Sequence, residues 1–176
     1  MKLLFVAAVD FELDVARALC TGADASFLCT GIGPEATRSA LEPVLSGGGF
    51  DLAVDIGLAG SYGGRLPLGS VVQVVSERFG GQSDLLLRNP EPPAVFAALP
   101  QAAGNTVPAL EACFRGVTAD VETMEGAAFF EACLAAGIPF AEIRAVSNRV
   151  SETDHGRWDI PLALQNLKTA LKSLSF

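Results

Sequence analysis

Histidine is nearly absent from this 176-residue sequence: His155 stands alone. A His-based catalytic triad or a His-rich metal site therefore has little to build on. Cysteine is scarce too, with Cys20, Cys29, Cys113 and Cys133 and no CxxC pair among them. That spacing argues against a disulfide framework or a zinc site, and the apolar neighbours of each predict small, buried, reduced thiols. Basic residues are few, 12 against 20 acidic, for a net charge of -8. Nucleic acid is excluded as a partner on that balance, since phosphate binding needs a basic footprint. A small anionic substrate is not excluded, because local donors suffice for it. Long apolar runs are missing as well. Met1–Ala8 is apolar apart from Lys2, but Asp10 and Glu12 follow at once. The run is too short for a signal peptide or a membrane span, so the expectation is a cytoplasmic protein with no membrane partner.

What is present is apolar and small. Half of the residues are hydrophobic and 18 are glycine. The length fits one domain with a real core, and disorder is not expected. Lys2–Ala8 reads as a central strand, and Asp10–Leu19 as a helix with Phe11, Val15, Ala18 and Leu19 on its buried face. Ala25–Cys29 is a second strand. A helix opens at Pro34 and buries Leu41, Val44 and Leu45. Leu52–Ile56 is a third strand running into a glycine-rich loop, Gly57–Gly64; Ser70–Ser76 is a fourth. Phe79–Gly104 reads as loop, Val117–Thr123 as strand, and Glu125–Ala136 as a helix stopped by Gly137. Pro139–Val146 is a buried strand, and Pro161–Leu174 an amphipathic closing helix. Continuous apolar strands alternating with helices predict an α/β, three-layer α/β/α fold, with a mixed, mostly parallel sheet flanked by helices. Ligands bind such sheets beyond the carboxyl ends of the strands. The segments at 8–12, 30–34, 57–64, 123–126 and 147–150 should then converge on one mouth.

Several residues in those segments suit chemistry, and each also has an ordinary structural explanation. Glu125 sits at a strand–helix junction, where the helix dipole favours its ionised form. It can accept two hydrogen bonds from vicinal ribose hydroxyls, or it is merely a first-turn acid. Asn148, at the end of a buried strand, can donate to O6 and accept from N7–H of a 6-oxopurine, or hold a turn. Glu12 can deprotonate a water or be a solvated helix-start charge. The backbone of Gly57-Leu58-Ala59-Gly60 can approach a flat base or an anion, or make a tight turn. Trp158 reads as an anchor for the last helix or as pocket wall.

Taken in order, five segments resemble the purine/uridine phosphorylase superfamily. They are Gly31-Ile32-Gly33, Asp55-Ile56-Gly57-Leu58-Ala59-Gly60, Leu68-Gly69-Ser70-Val71-Val72, Met124-Glu125-Gly126-Ala127-Ala128 and Ile143-Arg144-Ala145-Val146-Ser147-Asn148. Val121–Phe130, Arg144–Val150 and Arg157-Trp158-Asp159-Ile160-Pro161 are similar to its futalosine hydrolase branch. The resemblance implies one nucleoside phosphorylase-like domain over residues 1–176. It also implies N-glycosidic cleavage of futalosine to hypoxanthine in menaquinone biosynthesis, a homo-oligomer (dimer or larger), and no metal or organic cofactor. Carried over residue by residue, it makes Glu12 and Asn148 catalytic. Thr123, Met124, Glu125, Ala59, Gly60 and Ser147 become substrate-binding. Adenine-releasing members carry Asp where Asn148 stands. The carboxamide suits an acceptor at C6, and the wrong pairing costs about 1–3 kcal/mol. Phosphorylases hold phosphate with arginines in the early loops. Val9-Asp10-Phe11-Glu12 and Asp55 offer none, which favours water as nucleophile. Two departures stand out. Leu58 replaces a serine of the methylthioadenosine nucleosidases, and Phe79–Gly104 is short where the family carries part of its substrate-binding region. Another 6-oxopurine nucleosidase, a phosphorylase, or a non-catalytic purine-binding homologue remain the alternative readings.

Overall fold

Leu3–Ala7 is apolar and buried at every position and forms strand β1. Its side chains alternate between two cores, as a period of two requires. Leu4 and Val6 join Leu41, Leu45, Phe129, Phe130 and Phe140 on one face of the sheet. Leu3, Phe5 and Ala7 join Leu13, Ile56, Ile143, Leu167 and Leu171 on the other. The computed structural model describes residues 1–20, 24–80, 86–109 and 118–173. Eight strands and four α-helices lie among them: α1 (Asp10–Arg17), β2 (Ala25–Cys29), α2 (Pro34–Ser46), β3 (Leu52–Ser61), β4 (Val71–Phe79), β5 (Leu87–Arg88), β6 (Gln101–Thr106), β7 (Val121–Thr123), α3 (Gly126–Ala136), β8 (Phe140–Arg149) and α4 (Ile160–Lys172). No helix among them is long and apolar enough to cross a membrane.

The expected α/β architecture is present, with one addition. β2, β1, β3 and β8 run parallel, as do β4 and β6, and β6 and β7. β8 also pairs β4 antiparallel, and β7 pairs β3 antiparallel. The path β3–β8–β4–β6–β7 therefore returns to β3, and half of the sheet closes on itself. Helices α2 and α3 cover one face, where Arg38 and Glu131 link them at 2.8 Å. Helices α1 and α4 cover the other.

Some boundaries differ from the sequence expectation. Gly57–Ser61 is strand, not loop: β3 continues through it because β8 pairs with it over its whole length. Gln101–Gly104 is also strand: β4 pairs it throughout, and β7 joins from Gly104 onward. Phe11 is not on the buried face of α1 but 47% exposed, since the helix turns Glu12, Leu13, Val15 and Ala16 inward. Cys29 is exposed, its Sγ donating to the Ala8 carbonyl at 3.4 Å, while Cys133 is buried as expected. Cys113 lies outside the described residues.

Candidate active site

The carboxyl end of β1, the start of α1 and the distal halves of β3, β7 and β8 surround one pocket of about 230 Å³. All eight residues singled out in the sequence line it: Glu12, Ala59, Gly60, Thr123, Met124, Glu125, Ser147 and Asn148. The irregularity in β8 is what brings the last two there together. Ala59 pairs with Val146 but Gly60 pairs with Asn148, so Ser147 is an extra residue in the ladder. Such a bulge re-aims side chains that would otherwise alternate between faces.

Asn148 is fixed by its neighbours. Ser147 Oγ donates to its Oδ1 at 2.9 Å, and its Nδ2 donates to the Arg149 carbonyl at 3.0 Å. One N–H and one lone pair of the carboxamide remain for a ligand. Ser147 thus positions Asn148. The Thr123 hydroxyl donates instead to Glu77 Oε1 at 3.1 Å, away from the pocket.

Glu125 occupies the N-cap of α3, one position before its first turn, and its Oε1 accepts from Gly33 N–H at 2.9 Å. Gly33 reaches that contact with φ 98°, a conformation that favours glycine, at the N-cap of α2. The weak Gly31-Ile32-Gly33 signal is therefore the loop that holds Glu125. Glu12 is 5% exposed. Its Oε1 accepts from Leu58 N–H at 2.9 Å, and its buried Oε2 has no protein partner. Burial raises the Glu12 carboxyl above the ordinary range; the Arg144 charge and the Leu58 amide oppose that only in part.

Behind these groups lies a cluster that motif reading did not resolve. Arg144 is 1% exposed on β8. Its guanidinium pairs with Asp55, donates to Glu142 at 2.7 Å and lies 4.0 Å from Glu125. Burial would lower its pKa, but Asp55, Glu142, Glu125 and Glu12 together hold it charged. Glu77 accepts from the hydroxyls of Thr106 at 2.9 Å and Thr123 at 3.1 Å. Burial first, and the Glu142 charge second, push the Glu77 carboxyl well above its ordinary range. Burial also raises Asp55, against the pull of Arg144. In the sequence, Arg144 stood out as a charged residue in a mostly apolar strand, two positions after Glu142, and inside a quoted motif. Its partners lie up to 89 positions away.

Phe11, Ile32, Trp158 and Ile160 also line the pocket, and Phe11 and Ile32 are 47% and 62% exposed at its mouth. Trp158 forms pocket wall, its Nε1 donating to the Glu152 carbonyl at 3.2 Å and its ring 4.4 Å from that of His155.

The arrangement offers a buried carboxylate able to face a water, a second at a helix start, and an amide fixed opposite glycine backbone. It offers no free cation among the described lining residues, since Arg144 is engaged by carboxylates. A phosphate dianion would meet Glu12 and Glu125 instead.

The profile of the Phosphorylase superfamily matches residues 95–175. The chain is 31% identical to a futalosine hydrolase of Thermus thermophilus, over 84% of this chain and 80% of that one. It is 31% identical to a futalosine hydrolase of Streptomyces coelicolor over 224 aligned positions, 99% of this chain and 95% of that one. With 176 residues spread over that alignment, the relative carries segments this chain lacks. Among solved structures, a futalosine hydrolase mutant of Helicobacter pylori superposes with a TM-score of 0.81 at 15% identity, covering 98% of this chain and 97% of that one. A 5'-methylthioadenosine/S-adenosylhomocysteine nucleosidase of Neisseria meningitidis gives 0.82 at 19%, covering 98% and 99%.

Proposed function

This chain belongs to the futalosine hydrolase family, and from that premise we propose that it hydrolyses the N-ribosidic bond of futalosine and releases hypoxanthine. The observation that carries the reading is the convergence of Glu12, Glu125 and Asn148 on one pocket whose nearest guanidinium is tied up by Asp55 and Glu142.

In this reading Glu125 accepts from the ribose hydroxyls, and Met124 packs against the sugar. The C1′–N9 bond stretches, its electron pair moving into the base. N7 takes a proton from solvent as the bond breaks, and Asn148 donates to O6 through its remaining N–H and accepts from the N7–H through Oδ1. Water adds to C1′, and Glu12 Oε2 takes its proton while Leu58 N–H holds Oε1. Because Leu58 supplies this contact from its backbone, the loss of a serine side chain there leaves Glu12 still anchored. A positioned base contributes about 10²–10⁴-fold.

The same reading takes the chain as a cytoplasmic enzyme of menaquinone biosynthesis and a homo-oligomer, dimer or larger. The exposed Phe11 and Ile32 are apolar surface that a neighbouring subunit would cover at the pocket mouth. The decisive experiment is hypoxanthine release from futalosine in phosphate-free buffer, with inosine alongside. Release from futalosine alone, at a rate indifferent to added phosphate, is the expected result. Phosphate-dependent release, or none, would refute hydrolysis.

A further inference from the structure

We propose that Glu122 is a specificity-determining residue whose carboxylate accepts the N1–H of a 6-oxopurine, reading the base edge that Asn148 does not reach; this rests on the reading that the substrate is a hypoxanthine nucleoside. The register places the two groups. Gly60 of β3 pairs with Asn148 of β8 on one side and with Glu122 of β7 on the other. Residues aligned across neighbouring strands share a face, and the central one has no side chain. All three line the pocket. With strands about 4.8 Å apart, the two outer Cα atoms stand about 10 Å apart. A flat base lying over Gly60 then has the carboxamide at one edge and the carboxylate at another.

Glu122 is 8% exposed, and a carboxylate held there without compensation is costly. Burial raises its carboxyl above the ordinary range, and the compensation that opposes this comes from one side. Tyr62 O–H donates to Oε2 at 2.6 Å, and Asn105 Nδ2 donates to the Tyr62 oxygen at 2.9 Å. The amide fills the phenol's acceptor site, so the phenol proton is committed to Glu122. Burial, and then the Glu122 contact, keep that phenol protonated. The chain thus presents Glu122 to the pocket as an acceptor. A 6-oxopurine offers it a donor at N1, whereas a 6-aminopurine offers a lone pair that a carboxylate repels. Glu122 and Asn148 therefore discriminate in the same sense through different atoms of the base.

The test combines binding of free bases by calorimetry with kinetics on futalosine and its 6-amino analogue. The wild-type protein should bind hypoxanthine at least about tenfold more tightly than 1-methylhypoxanthine, which lacks the N1 proton. Glu122→Ala, with neither carboxylate nor crowding, should bind the two alike. In Glu122→Gln, one amide oxygen cannot satisfy both Tyr62 and the base. Its kcat/KM for futalosine should fall about 10- to 100-fold, the cost of one hydrogen bond to a charged group, and its preference over the 6-amino analogue should narrow by a similar factor. An equal fall on both substrates, or an unchanged preference, would overturn the proposal as a purely structural role. If the wild type cleaves futalosine but binds 1-methylhypoxanthine as well as hypoxanthine, the Glu122 assignment fails and the hydrolase reading stands. If it does not cleave futalosine yet still distinguishes the two bases, the hydrolase reading fails and Glu122 keeps its role. If neither base binds, the Glu122 assignment fails, and futalosine turnover alone decides the hydrolase reading. Should the variants not fold, the wild-type comparison of the two bases still decides.

Discussion

Replacing Gly57 with alanine is the sharpest perturbation the site offers. Gly57 lies in β3 opposite Arg144 of β8. A Cβ there would stand 2.3 Å from Arg144 Nη1 and 2.9 Å from Glu12 Oε1, both closer than atoms pack. The methyl cannot be accommodated by rotating an exposed side-chain end, because both neighbours are buried and hydrogen-bonded. Overpacking alone costs about 1–3 kcal/mol. If the guanidinium instead leaves Asp55 or Glu142, a buried ion pair is broken, at about 3–5 kcal/mol. Either way Glu12 moves, and loss of a positioned base should cost about 10²–10⁴-fold in kcat. The expected outcome is a folded protein with a clearly lowered Tm and a kcat/KM down by at least about a hundredfold. Gly64→Ala is the control: its Cβ would meet nothing within 4 Å, and its φ is not positive. Thermal melts and futalosine turnover on the three proteins decide it. A Gly57→Ala enzyme with wild-type Tm and turnover would refute the placement of Arg144 against Glu12.

Asn148→Ala should depress kcat more than ground-state binding of substrate, measured as kcat against a Kd from single-turnover kinetics; an equal loss in binding alone would count against its role at the leaving group. Asn148→Asp should shift preference toward 6-aminopurine nucleosides, read from paired kcat/KM values. Glu12 works as its carboxylate, and burial raises its pKa above the ordinary 4.5. The acid limb of kcat/KM should therefore lie above that value and vanish, with turnover, in Glu12→Gln. Glu77 contributes in the opposite sense to stability: its folded pKa is raised, so the stability it lends is complete below about pH 4.5 and is lost as pH rises through the raised value. Glu77→Gln, which mimics the protonated form, should melt higher than wild type at alkaline pH, with the difference shrinking toward acid.

Elements with strong apolar periodicity were legible: β1, α1, α2, α3 and α4 appear where their patterns put them, to within a few residues. Two segments were not. Gly57–Gly60 has the composition of a loop, yet it is strand because its missing side chains let Arg144, Glu12 and Asn148 approach the backbone. Gln101–Thr106 has no alternation and little β-branching; its conformation comes from pairing with β4 along its length and with β7 from Gly104 on, with Asn105 and Thr106 fully buried. The pocket-lining residues were legible because they lie at or just beyond the carboxyl ends of strands and sit in short motifs. The charges supporting them were not. Asp55, Glu77 and the Glu142–Arg144 pair come from β3, β4 and β8; only Glu142 and Arg144, two apart on one face of β8, are neighbours locally. Glu122 was hidden differently. It sits inside a quoted motif, but its direction depends on the antiparallel pairing of β7 with β3.

The closed circuit of β3, β8, β4, β6 and β7 has a bearing on how the protein is made. Its closure joins Ala53 to Phe140 and Val71 to Ala145, contacts between parts of the chain synthesised far apart in time. Such non-local pairings are entropically late and slow to form. Asn148, Ser147 and Arg144 all arrive on β8, the last strand. Until β8 inserts between β3 and β4, Asp55 and Glu12 have no buried cation, and the edges of both strands stay open. The nascent chain should thus pass through a state with unpaired strand edges and uncompensated carboxylates. The step that seals those edges is also the step that creates the pocket, so partly folded molecules have no active site to misuse.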